Sequence, residues 1–247
     1  FARMIRDATP ETSGYFNALE QPEYGILAKP SLGHAIHYAA RRATPANNFG
    51  PYLDFEKYRN VLRFYLVPSA QQALALAEGL QVRYVVSFAR EASDPRFFHD
   101  RLHLADDAGA LHGKPTGQLR LVIEGPGRGL PMRTAFPSGR VPGRVIPYKL
   151  FELVDGAVLE IPAAPGVRVE AELALVTPLG RRFAYVTHGV ADDQGWARLR
   201  VAYPTEATLP TRPLGLYQVR AGNQDFTVVV SEEDVREGRH VRPDPAF

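Results

Sequence analysis

The sequence predicts an α+β protein, with a mixed α/β N-terminal domain over residues 1–124 and an antiparallel β-sandwich domain over 148–247. Three observations carry this. Before residue 90, apolar residues recur at the helical period between recognisable caps. After residue 165 they alternate with period two. In between, Gly125 to Pro147 holds five glycines and five prolines in 23 residues. That density sustains neither a helix nor a central strand, so 125–147 reads as a linker.

Along the chain, Ser31 is the expected N-cap of a helix over Leu32 to Arg42, which contains no proline. Asn47-Asn48-Phe49-Gly50-Pro51 then stops it with turn formers. Asp54 to Leu66 reads as a second helix, with Phe55, Tyr58, Leu62 and Tyr65 near the helical repeat. Ser69 and Gln72 have capping-box spacing and open a third, whose apolar face is Ala73, Leu76, Ala77 and Leu80. Val82 to Ser87 and Gln118 to Glu124 read as strands.

Beyond the linker, Val167, Val169, Ala171, Leu173 and Leu175 alternate with Arg168, Glu170 and Glu172. Ala197 to Tyr203, Tyr217 to Ala221 and Phe226 to Val230 repeat the scheme. One face is apolar and the other polar, as in half-buried antiparallel strands. Pro-Gly, Asp-Asp-Gln-Gly and Ala-Gly-Asn turns between such strands point to a sandwich.

Composition narrows the function. With 247 residues, 45% hydrophobic and 23% charged, the chain can bury two ordinary cores. A net charge of +2 argues against bulk nucleic-acid binding, and zero cysteines exclude disulfides and thiolate zinc sites. No apolar run reaches the roughly 18 residues of a membrane span. No Ser-His-Asp arrangement, HExxH or phosphate loop is legible, so no catalytic residue is nominated and no metal site is expected in this chain.

Several lesser features have plain readings. His34 and His37 have a chelating spacing on a helix but lack a third ligand nearby in sequence, which favours a structural role. Asp106-Asp107 and Asp192-Asp193-Gln194-Gly195 read as turns, without calcium-loop spacing. Arg128, Arg133, Arg140 and Arg144 occupy the linker with no acid among them. They are more simply a solvated loop than a contact for anionic headgroups. Trp196 shares a strand face with Arg198 and Arg200, where an exposed indole would suit sugar stacking.

The segment 24–50 is the most specific. Tyr24-Gly25-Ile26-Leu27-Ala28 leads into Lys29-Pro30-Ser31-Leu32-Gly33, then Arg41-Arg42 and Ala46-Asn47. This frame resembles the start of the soluble C-terminal domain of the oligosaccharyltransferase catalytic subunit, archaeal and bacterial type. There the same lead enters a Trp-Trp-Asp-Tyr-Gly signature, of which only Gly33 is kept. Arg6-Asp7-Ala8-Thr9-Pro10-Glu11, Lys149 to Ala157 and Val230 to Val235 continue the match in order. The family's second short motif has no counterpart around Phe88 to Asp100.

The resemblance implies the extracytoplasmic, periplasmic-side C-terminal region of a membrane glycosyltransferase that moves a glycan from a lipid-linked donor to a protein acceptor. It implies three partners: the enzyme's own transmembrane portion, the lipid-linked oligosaccharide and the acceptor protein. The catalytic carboxylates, with their Mn or Mg ion, would lie in the membrane portion. Here the resemblance places acceptor binding at Lys29, Pro30, Ser31, Leu32, Gly33 and His34. The family's signature bonds the acceptor's Ser/Thr hydroxyl, and a site built for a hydroxyl rejects its absence by about 10⁴–10⁵. Proline has no donor, lysine offers an ammonium and serine is short and neutral. The loop is therefore either re-tuned for another acceptor or purely structural. The rival class is a non-catalytic extracytoplasmic module that binds glycan or protein.

Overall fold

The computed structural model describes residues 1–17, 19–108, 114–127 and 146–243. Most of the expected linker falls outside these, including its four arginines. By packing, the chain forms two compact units: Phe1–Leu104 with Leu121–Leu153, and Ala105–Arg120 with Val154–Phe247.

The first unit is built on a mixed sheet. Strand β1 (Gly25–Leu27) pairs in parallel with β2 (Val82–Phe88). The sheet continues through β4 (Tyr148–Leu153) to β3 (Leu119–Glu124), in the order β1-β2-β4-β3. β4 runs antiparallel to β2, so residues 148–153, expected at the start of the sandwich, belong by hydrogen bonding to this sheet. The physical reason is register. Val86 opposes Leu150 and Val85 opposes Phe151, matching two apolar strands that are buried on both faces.

Helices cover both faces of β2. On one, Tyr84 and Val86 share a core with Ile5 of α1 (Ala2–Ala8) and with Ile36 and Ala40. On the other, Ser87 meets His103 of α5 (Phe98–Ala105). The alternation of side chains along a strand separates these two sets. Helices α3 (Phe55–Phe64) and α4 (Ala70–Gly79) pack on one another, and α4 on β2. Asp54, read as the first residue of its helix, is instead its N-cap and accepts from the Lys57 N–H; Ser69 accepts from the Gln72 N–H, one half of the expected capping box. Across the sheet, Arg83 forks onto the buried Glu152 at 2.7 and 2.9 Å.

The expected helix at Leu32–Arg42 is shifted and composite. α2 (Pro30–Ala35) starts two residues early, with Lys29 rather than Ser31 at the N-cap. Proline supplies a preset φ at the first helical position, where its missing N–H costs nothing. A π-helical turn, Ile36–Ala40, follows and ends at Arg41 in the left-handed region, φ 54°. Among the elements without a sequence reading are α1, β1 and α5.

The second unit holds two sheets. β6 (Arg168–Val176) lies between β7 (Arg182–Val190) and β10 (Tyr217–Ala221), with β11 (Gln224–Val228) beyond β10 and the short β9 (Arg212–Pro213) also on β6. The other sheet joins β12 (His240–Val241), β5 (Ala157–Pro162) and β8 (Trp196–Val201). Val169, Ala171, Leu173 and Leu175 of β6 are fully buried, and so are Leu159, Ile161, Leu199 and Val201 from the opposite sheet. All belong to one core, as period-two alternation requires and as a sandwich would arrange them. Each such side chain contributes about 1.5–3 kcal/mol of burial. A short helix, α6 (Glu232–Glu237), adds Val235 to this core and opens on a reciprocal Ser231–Asp234 capping box.

Candidate functional site

The candidate loop begins where β1 ends. Pro30 and Gly33 are buried, Leu32 packs on the α1/α2 core, and Ser31 and His34 are exposed. Lys29 is half-buried, with its Nζ 4.7 Å from the ring centroid of Phe88 and 6.0 Å from that of Tyr148. Among the described residues it makes no ion pair. His34 points elsewhere and meets Phe49 edge-on at 5.0 Å. The six candidate residues therefore split: Lys29 faces the end of the sheet, His34 the 47–52 turn, and Pro30 and Gly33 are structural.

Phe88 is held from behind by α5. Its backbone N–H donates to His99 Nε2 at 3.1 Å, which leaves the His99 proton on Nδ1, donated to Asp100 Oδ1 at 2.8 Å. Burial pushes the His99 pKa down, so this ring is neutral. Asp100 also meets the Arg90 guanidinium at 3.3 Å. Tyr148 in turn stacks on Phe1 at 5.6 Å. Lys29 thus sits on a wall fixed by hydrogen bonds.

Next to it lies a Ser–His contact, Ser87 Oγ to His103 Nδ1 at 2.8 Å. It is not a nucleophile. Ser87 is fully buried, so its hydroxyl is out of a substrate's reach, and the His103 ring is held by the Ile146 carbonyl at 3.0 Å. His37 rests against Tyr15 and Phe16, its pKa lowered by burial and by His34. Among the described residues, no group of three or more His, Cys, Asp or Glu could hold a metal ion. None of the helices there is long and apolar enough to cross a membrane.

In the second unit, Asp192 caps its own turn, accepting from Gln194 and Trp196 N–H groups. Trp196 is half-buried, with Arg242 over its ring at 4.8 Å. That face of the indole is covered, which weakens the sugar-stacking idea. An open cleft of about 500 Å³ on the outer face of the β6–β10 sheet is lined by Glu170, Glu172, Leu214, Gln218, Arg220 and Phe226. None of the candidate residues lines it.

Sequence reasoning missed two features. The first is the Phe88–Tyr148 frame, because residues far apart in sequence meet only once β2 pairs with β4. The second is a set of exposed apolar side chains. Among the described residues, nine of the fourteen exposed large hydrophobic residues lie between positions 16 and 66, Phe16, Tyr38, Phe49 and Tyr52 among them.

Comparison with known proteins agrees with the resemblance drawn from the sequence. A family model described as the archaeal glycosylation protein B long peripheral domain matches residues 156–241. Dolichyl-phosphooligosaccharide-protein glycotransferase 2 of Archaeoglobus fulgidus is 32% identical over 77 residues, which are 31% of this chain and 12% of that protein. The A. fulgidus oligosaccharyltransferase solved with Zn and sulfate superposes with a TM-score of 0.74 at 17% identity, over 98% of this chain and 45% of that one. The A. fulgidus AglB structure with an inhibitory peptide and a dolichol-phosphate gives 0.73 at 17%, over 100% and 42%. A third, tethered to an acceptor peptide with the NVT sequon, also gives 0.73 at 17% identity, over 98% and 42%. The fold is shared from end to end, and the chain spans less than half the length of these solved relatives.

Proposed function

We propose that this chain, similar in fold and in its peripheral-domain sequence to archaeal oligosaccharyltransferases, is the extracytoplasmic, periplasmic-side C-terminal region of such an enzyme. The parent protein moves a glycan from a lipid-linked donor to a protein acceptor. This region supplies acceptor binding at Lys29 to His34 and a β-rich scaffold. The linker is kept at 125–147, with residues 148–153 counted to the first unit's sheet. The observation that carries the proposal is the conjunction of the 24–50 frame with a fold matched over nearly the whole chain.

The catalytic carboxylates and their divalent ion, Mn or Mg, belong to the parent's membrane portion; one relative was solved with Zn. The exposed Phe16, Tyr38, Phe49 and Tyr52 are the apolar side chains this region would offer to that portion.

The test is a transfer assay from a lipid-linked donor. The full-length protein transfers glycan, and the isolated chain does not, with or without Mn²⁺ or Mg²⁺. With Trp, Trp and Asp replaced by Lys29, Pro30 and Ser31, the full-length protein discriminates poorly between Asn-Val-Thr and Asn-Val-Ala peptides. Each lost hydroxyl contact is worth about 0.5–1.5 kcal/mol. Turnover by the fragment alone overturns the placement of the catalytic centre, and strong Thr preference overturns the reading of positions 29–31. A folded full-length protein that transfers to neither peptide leaves the accessory-module reading in its place.

A further inference from the structure

We propose, on the reading that the loop at Lys29 receives the acceptor, that Lys29 selects a polypeptide carrying a carboxylate side chain close to its modified asparagine. Geometry places Lys29 where a ligand is expected. β1 and β2 are parallel neighbours, so their carboxyl ends open at the same end of the sheet. β4 runs the other way, which brings its first residue, Tyr148, opposite Phe88 at that end. Open parallel sheets bind ligands outside the carboxyl ends of their strands, and β1–β2 is a parallel pair of this mixed sheet. Lys29, two residues beyond β1, stands there with Phe88 and Tyr148 beneath its ammonium.

The electrostatics set the sign of the ligand. The ring faces hold the ammonium in place without neutralising it. The stretch from Tyr24 to His34 contains no acidic residue. The neighbouring cation, Arg90, lies over the other side of the frame at 5.8 Å from Phe88, but is engaged by Asp100 and by the Tyr65 carbonyl. Among the described residues, Lys29 makes no ion pair, whereas Arg90 is paired. A hydroxyl or methyl group would gain little from the Lys29 ammonium. A carboxylate would gain a charge-assisted hydrogen bond, and one that weakens with salt.

The experiment measures binding of labelled peptides to the full-length protein by fluorescence anisotropy, using Asn-Val-Asp, Asn-Val-Thr and Asn-Val-Ala sequences. The Asp peptide is expected to bind about three- to fivefold more tightly than the other two, as for a solvent-accessible ion pair. That preference should shrink with added salt, vanish in Lys29→Met and persist in Lys29→Arg, with circular dichroism unchanged in both variants. If the peptides bind alike, or the Asp preference survives Lys29→Met, the charge proposal falls and the acceptor reading stands. If no peptide binds the folded protein, both fall. If inorganic phosphate displaces the Asp peptide beyond the effect of equal ionic strength from chloride, the site is a phosphate site and the proposal is overturned.

Discussion

Gly33 lies so close to Asn47 that a β-carbon on the glycine would stand 2.7 Å from the Asn47 Cα, and 2.6 Å from the Ala46 carbonyl oxygen. Both obstacles are backbone, so neither can rotate away. The missing side chain lets α2 press against the 46–47 turn, and that contact fixes where the loop from Ala28 to His34 enters the helix. Gly33→Ala is expected to destabilise the fold by about 1–3 kcal/mol through overpacking. Gly79, in α4 with open space around its Cα, is the control. There alanine should be neutral or stabilising by up to about 1 kcal/mol. Urea titrations of the two variants check this, and equal effects would refute the packing account.

This also explains why Gly33 alone survives from the resembled signature. Its role here is steric, whereas positions 29–31, where the resemblance places acceptor binding, have changed. The frame residues 24–50 and the period-two strands were legible because local pattern encodes them. The composite α2/π helix was less so. Pro30 at the first helical position competes with Ser31 for the start, and the π turn follows from tertiary packing. Residues 148–153 fall within the expected sandwich domain because a strand buried on both faces carries no pattern that tells one sheet from the other.

Arg42 holds the N-terminal segment in place. It is 3% exposed and donates six hydrogen bonds: to the Thr9 hydroxyl and carbonyl, the Tyr24 hydroxyl, and the Arg6, Ala40 and Arg41 carbonyls. The guanidinium thereby satisfies carbonyls at the ends of both α1 and the π turn. Arg42→Lys keeps the charge but cannot span six acceptors with three donors. We expect it to cost about 2–4 kcal/mol. A shift in denaturation midpoint worth less than about 1 kcal/mol would show that water replaces the fork.

Asp107 provides a pH test of the second unit. Its carboxylate accepts from the Thr116 N–H at 3.0 Å and from the Thr116 hydroxyl, closing a turn at φ 52°. Burial raises its pKa from 3.8 to about 7, against the opposing pull of those hydrogen bonds. The sign follows. Between about pH 4 and 7 the folded chain holds a proton that the unfolded chain has lost, so this residue's contribution to stability declines as pH rises through that window. Asp107 is itself only half-buried, so solvent screening reduces the effect to about 1–2 kcal/mol. Asp107→Asn mimics the protonated form and should remove this component. Compared at pH 4.5, 6 and 8, wild type should lose stability relative to the variant at each step. Parallel stability curves for the two proteins would mean that the carboxyl ionises normally within the fold.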